Sequence, residues 1–235
     1  MAYLDRGSTT GYGRHADSEG DASWAELAKT GKSKSHRYQE HEAVYYEGDP
    51  ADKVYEVVEG TVMLFKLLPD GRRQVVEVLR TGGLFGLTSK AHQDCNAETL
   101  TASVIRSIEK REIEGSTVMQ QHIAKCMLTQ LETLHDHAVL LGRKSAFERV
   151  ASFLMRFVPE RGIVGCIGPK PSGKDESLIV LAMTRQEIAD YLGLTIETVS
   201  RVISDLKRRG LITIEKQDRI RITNVCGICH LTGTH

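Results

Sequence analysis

The chain is 235 residues long, 40% hydrophobic and 26% charged, which supplies cores for one large domain or two modest ones. Its 31 lysines and arginines balance 31 aspartates and glutamates, so any nucleic-acid contact must come from a local patch and not from overall charge. No run reaches the roughly 18–20 apolar residues of a membrane span, and the N-terminus lacks the apolar core of a secretory signal. Five scattered cysteines (Cys95, Cys126, Cys166, Cys226, Cys229) are an odd number in a chain too large to need staples, which predicts reduced thiols and a cytoplasmic protein.

Residues 1–36 are rich in Gly, Ser, Thr, Lys and Asp, with Trp24 and Leu27 the main hydrophobic marks, and read as a flexible tail. From Ala43 onward short β-rich runs follow one another: Val44–Tyr46, Lys53–Val58, Thr61–Leu67, Gln74–Leu79 and Thr99–Ile108. The turn signals between them are Glu47–Pro50, Glu59-Gly60, Pro69–Gly71 and Gly82-Gly83. Strands at such spacing predict a barrel or jelly roll.

The period then becomes helical. Ala124, Met127, Leu131, Leu134, Ala138 and Leu141 step by three and four along one side of a segment without glycine or proline, the pattern of a dimer-forming seam. A second stripe, Val118, Ile123 and Leu128, is placed against the barrel. His135 and His137 are two apart and fall on different faces, a poor arrangement for holding a metal. Residues 145–158 form another amphipathic helix ended by Pro159, and residues 159–177 read as a loop or hairpin.

Thr184-Arg185-Gln186-Glu187 is a capping box that starts a helix running to about Leu192. Gly193 supplies a tight turn, and Thr195 opens a second helix to Arg209. Ile188, Leu192, Val199, Val202, Ile203 and Leu206 form the buried face, with Ala189 small where the helices cross: the spacing of a helix-turn-helix. Two β runs after Gly210, Leu211–Glu215 and Arg219–Thr223, make a wing. The exposed side of the second helix gathers Glu197, Ser200, Arg201 and Lys207, which an ordinary core hairpin does not explain.

The chemistry that follows is recognition of double-stranded DNA. Arg201 suits the O6 and N7 of guanine as a bidentate donor, Glu197 one turn earlier suits a cytosine amine, and Ser200 adds an adaptable contact. Thr184, Arg185, Thr195, Thr198, Lys216 and Arg219 suit phosphates, which position a protein without reading sequence.

Other motifs carry less. Cys226-Gly227-Ile228-Cys229-His230 spells the c-type haem attachment pattern, but that attachment takes place outside the cytosol. Three local ligands fall short of a structural zinc site, so Cys226 and Cys229 read first as tail thiols without a specific role, with a redox pair as the alternative and a metal site as the weakest reading. Cys126 reads as a small core residue and Cys166 as the more exposed thiol. Residues 168–175 nearly spell a phosphate-binding loop, yet Asp175 stands where a Mg²⁺-binding hydroxyl belongs and two prolines remove N–H donors. A nucleotide-hydrolysing enzyme is therefore the weaker alternative; neither catalytic residues nor a cofactor are expected.

From residue 40 to 223 the chain resembles the CRP/FNR superfamily. Glu47-Gly48-Asp49-Pro50-Ala51-Asp52 and Tyr55–Gly60 look like its β-roll signature, and Thr184–Arg201 is similar to the FNR/FixK branch. The resemblance implies that Glu197, Ser200 and Arg201 read a TTGAT-type half-site repeated inverted as TTGAT-N4-ATCAA. It also implies a homodimer, an activating contact with RNA polymerase through the loop around Gly82–Leu87, and microaerobic or nitrogen-fixation target genes. Cyclic-nucleotide-binding members neutralise the phosphate with an Arg-Ser pair. Here the corresponding segments read Gly83-Leu84-Phe85-Gly86-Leu87 and Asn96-Ala97-Glu98-Thr99-Leu100, so no cyclic nucleotide is expected. Residues 1–94 hold no cysteine, so the N-terminal iron–sulfur sensor of FNR is missing. A FixK-like regulator under external control remains, with a redox- or metal-gated relative using Cys226 and Cys229 as the alternative.

The expected fold class is α+β: a tail (1–36), a β-roll of jelly-roll, cyclic-nucleotide-binding-like form (37–115), a dimerisation helix (116–143), a C-terminal winged helix-turn-helix (144–224) and a tail (225–235).

Overall fold

The computed structural model describes residues 33–159, 168, 173–216 and 218–233, which divide into two units at Val139/Leu140. In the first unit eight strands run in chain order: β1 (Ser33–Tyr38), β2 (Ala43–Tyr45), β3 (Lys53–Glu59), β4 (Thr61–Leu67), β5 (Arg73–Arg80), β6 (Leu84–Phe85), β7 (Asn96–Thr99) and β8 (Ser103–Glu109). They pair antiparallel in two four-stranded sheets, ordered β1-β8-β3-β6 and β2-β7-β4-β5. The β4–β5 hairpin and the β3–β8 pair carry the longest registers of these sheets, and β4 is buried on both faces, with Val62 and Leu64 in the core and Met63 and Phe65 pointing to the other side. Tyr45, Val57, Val62, Leu64, Leu79, Phe85, Ala97 and Ile105 form the core, in which the Tyr55 and Phe85 rings stack at 5.2 Å. This is the β-roll expected from the spacing of the strands.

Two details differ from the sequence reading. Ser33–His36, placed in the tail by composition, are the first residues of β1 and pair with Ile108 to Ile105 on β8. The run Thr99–Ile108 is not one strand; β7 ends at Thr99 and β8 begins at Ser103, in the other sheet. Leu100 is fully buried in the crossing.

A short helix, α1 (Lys110–Glu114), leads into α2 (Thr117–Arg143). Met119, Ile123 and Cys126 of α2 pack on Val54, Leu84 and Ile108 of the roll. Ile123 is thus the one residue of the predicted roll-facing stripe that does so; Val118 and Leu128 are exposed. The face that packs is 119, 123, 126, 130, 133, 137, and its lower half is polar, so hydrophobicity alone did not reveal it. Gln130 donates to the Leu84 carbonyl at 2.5 Å, and buried His137 donates from Nδ1 to the Val76 carbonyl at 3.2 Å. His135 is exposed, on the other face as expected.

Opposite Gln130, burial pushes the Glu77 carboxyl on β5 up to about 7, against the opposing pull of its hydrogen bond to Gln130. An unfolded glutamate titrates near 4.5, so between about 4.5 and 7 the native state holds the proton that the unfolded state has released. This contribution to stability is complete below 4.5 and is lost as pH rises through about 7. Denaturant melts across this range should show that decline in the native protein and a flatter profile in Glu77→Gln. Equal slopes in both proteins would contradict the assignment.

The second unit holds α3 (Ala146–Met155), β9 (Ser177–Val180), α4 (Arg185–Leu192), α5 (Ile196–Arg208), β10 (Ile212–Lys216), β11 (Arg219–Ile222) and α6 (Val225–His230). Ser145 and Glu148 form a capping box on α3, whose Val150, Ala151, Phe153 and Leu154 are buried. The wing is a three-stranded antiparallel sheet, β10-β11-β9. Its third strand lies at the end of the segment read as a loop. Val225–His230, read as a tail, is a helix with Val225, Ile228 and Cys229 buried. Cys166 and most of the phosphate-loop-like segment lie outside the described residues. Among the described residues no helix is long and apolar enough to cross a membrane.

Candidate nucleic-acid interface

Helix α4 begins where the sequence places it. The Thr184 hydroxyl accepts from the Glu187 amide at 3.3 Å, and the Glu187 carboxylate accepts from the Thr184 amide at 2.7 Å. The helix ends at Gly193, which adopts the left-handed conformation (φ 61°, ψ 42°) that a side chain disfavours. Two residues later the Thr195 hydroxyl accepts from the Thr198 amide at 3.2 Å and caps α5.

Along α5, Val199, Val202, Ile203 and Leu206 are buried, while Glu197, Ser200, Arg201, Ser204 and Lys207 are exposed. The three base-reading candidates therefore lie together on one solvent-facing side. The Glu197 carboxyl is held below its usual range, first by its own backbone N–H, then by the Thr195 hydroxyl, with Arg201 adding a favourable charge. The carboxylate is thus a ready acceptor at neutral pH. The one hydrogen bond of Arg201 among the described residues is long, Nε to the Glu197 carbonyl at 3.4 Å, so its guanidinium remains available to an outside acceptor.

The other basic residues divide. Arg208 and Arg209 both pair with Asp205, the latter at 2.8 Å, and Arg209 also lies 4.8 Å from the centre of the Phe147 ring. Arg221 is engaged by Glu215 at 2.6 Å. These clamp the end of α5 and the wing. Lys207, Lys216 and Arg219 are exposed, with Asp218 4.0 Å from the Arg219 guanidinium. Of the remaining phosphate candidates, Thr184 and Thr195 are exposed and Thr198 is partly so. Arg185 departs from the simple picture, for it is half-buried, its pKa is lowered by desolvation, and one guanidinium nitrogen is buried without a hydrogen-bond partner.

What holds this face in place escaped the sequence reading. Arg149 on α3 donates to four carbonyls: Leu192 at the end of α4 (2.9 Å), Gly193 at the turn (3.5 Å), Lys144 (2.9 Å) and Leu141 (2.7 Å). It ties the turn of the helix-turn-helix to α3 and to the end of α2. Nothing in local periodicity marks an arginine for such a role.

On α2 the predicted seam is largely uncovered among the described residues. Met127, Leu131 and Leu134 are 52%, 49% and 42% exposed. Ala124 and Ala138 are also exposed, and Leu141 is half-buried. Of the segment 82–87, Leu84, Phe85 and Gly86 are buried, so only Gly82, Gly83 and Leu87 are partly accessible there.

Residues 35–116 match the family described as the cyclic nucleotide-binding domain, and residues 148–231 match the Crp-like helix-turn-helix domain. The chain is 35% identical over 185 residues to the nitrogen fixation regulation protein FixK of Rhizobium meliloti, covering 79% of this chain and 81% of that one. It is 38% identical over 177 residues to FixK of Bradyrhizobium diazoefficiens, covering 74% and 71%. The solved structure of FixK2 from Bradyrhizobium japonicum superposes with a TM-score of 0.72 at 31% identity, covering 86% of this chain and 98% of that one.

On β7 the side chains of Asn96 and Thr99 are committed to the roll itself. Asn96 is bonded to the Glu47 amide and the Phe65 carbonyl, and Thr99 to the Gln39 carbonyl. Glu98 beside them brings a negative charge, 3.4 Å from His41. With its β-roll, its long helix and its winged helix-turn-helix, the chain belongs to the CRP/FNR superfamily of DNA-binding transcription regulators, in the FixK-like branch.

Proposed function

We propose that the protein is a cytoplasmic transcription activator that binds as a homodimer to an inverted repeat resembling TTGAT-N4-ATCAA. The carrying observation is the grouping of Glu197, Ser200 and Arg201 on the exposed side of a helix whose other side is locked into the core. Inserted in a major groove, that side offers one bidentate donor and one acceptor to adjacent base pairs. Two such helices one helical turn apart require a twofold partner, and the exposed seam of α2 supplies a self-complementary face. Target genes of the microaerobic or nitrogen-fixation type are supported by relatives that are named nitrogen fixation regulation proteins, and activation adds a contact with RNA polymerase. A gel-shift titration should show tight binding to the inverted repeat, weaker by a factor of about 10³ or more on scrambled duplex. Equal binding to both duplexes would defeat the reading.

A further inference from the structure

The helix α6 carries two cysteines three residues apart, and they differ in accessibility. Cys226 is partly exposed, whereas Cys229 is buried against the unit's core; both are reduced thiols. The helix has only six residues and is held by specific contacts. Asn224 caps it, accepting from the Gly227 amide at 2.6 Å. Asp175, just before β9, accepts from Val225 through its carbonyl (3.0 Å) and from Cys226 through its carboxylate (2.8 Å).

This helix is also packed against the support of the reading helix. A side chain at Gly227 would stand 2.9 Å from the Leu211 methyl, a separation that forces something to move. Leu211 is the joint between α5 and the wing: its amide donates to the Leu206 carbonyl of α5, and its carbonyl accepts from Thr223 after β11. On its other side α6 packs on α3, the helix that holds the end of α4 through Arg149.

Side chains three apart on a helix have Cβ atoms about 5–6 Å apart. A disulfide needs about 3.5–4.5 Å. Linking the two sulfurs therefore requires the turn to deform, and Gly227 between them is the residue that leaves a helix at least cost. We propose that Cys226 and Cys229 are a reversible dithiol–disulfide pair, oxidised by a peroxide, whose closure deforms α6 and loosens the seat of α5. The inference rests on the DNA-binding reading above.

The chemistry balances. The Cys226 thiolate attacks one peroxide oxygen; an S–O bond forms, the O–O bond breaks and hydroxide leaves, taking up a proton as water. The Cys229 sulfur then attacks the Cys226 sulfenic sulfur. The S–S bond forms, the S–O bond breaks, and a second water carries away the thiol proton. Two thiols are oxidised and one hydrogen peroxide is reduced to two waters. A dithiol reductant reverses the change.

The test uses the full chain, treated with hydrogen peroxide and then catalase. Peptide mass mapping without reductant should find Cys226 linked to Cys229. Anisotropy with a TTGAT-N4-ATCAA duplex should show affinity reduced about 5- to 150-fold, the usual range of coupling between sites, and restored by dithiothreitol. Cys229→Ser should lose both the link and the response. A link with unchanged affinity, or oxidation at these sulfurs without a link, overturns the proposal. Should the reduced protein not prefer the repeat, the DNA-binding reading fails by itself. Amide exchange at Leu211 and along α5, faster in the oxidised protein if the proposal holds and unchanged if it does not, then decides the switch separately.

Discussion

Replacing Arg201 by alanine is expected to remove discrimination at one guanine of each half-site while leaving the protein folded. A well-placed bidentate contact contributes roughly 1–3 kcal/mol of discrimination, or about 5- to 150-fold per half-site. Arg201 is exposed and its one hydrogen bond among the described residues is long, so the unfolding transition should move by no more than a typical surface substitution. The measurement is anisotropy with two duplexes, one carrying TTGAT half-sites and one with each half-site guanine replaced. Native protein should separate them strongly, and Arg201→Ala should bind them nearly alike. Lys216→Ala makes the contrasting variant: an exposed wing cation should weaken binding to both duplexes evenly and lower the salt dependence by about one counterion per subunit. If Arg201→Ala behaves like Lys216→Ala, the arginine holds phosphate and the base-reading assignment is wrong.

The second large effect belongs to the seam of α2. In Leu131→Asp/Leu134→Asp, two leucines about half exposed in the protomer become carboxylates at the centre of the proposed interface. Each buried leucine contributes roughly 1.5–3 kcal/mol to association, and twofold symmetry repeats every change. Sedimentation should find monomer for this variant and dimer for the native protein. Binding to the inverted repeat should fall by about 10²–10⁴, because the second reading head loses its tether. Binding to a single half-site should change little. Since neither leucine is in the protomer core, the thermal transition of the monomer should persist. A sedimenting dimer would refute the seam.

Legibility in the sequence followed the range of the interactions. The capping box at Thr184, the turn at Gly193 and the buried face of α5 each depend on residues within one or two helical turns. So the helix-turn-helix and the grouping of Glu197, Ser200 and Arg201 could be read directly. The outward seam of α2 was readable for the same reason. Its inward face was not, because Gln130 and His137 satisfy the roll through hydrogen bonds to strand carbonyls and carry no hydrophobic signal. Strand β1, SKSHRY, has no apolar alternation; it is an edge strand defined by its partner β8.

By itself, then, the sequence determined the order of roll, long helix and reading head, and the chemistry that the reading head presents. Those features come from periodic patterns and local caps, which act before distant parts of the chain meet. Only the tertiary structure decided how that head is supported. Arg149 reaches carbonyls 43 residues away, and Asp175 anchors a helix 51 residues later in the chain. It turned the last cysteine motif from a tail into a packed helix beneath the joint at Leu211. Such contacts leave no period in the sequence, because each is a single polar group satisfied by whatever backbone the fold brings to it.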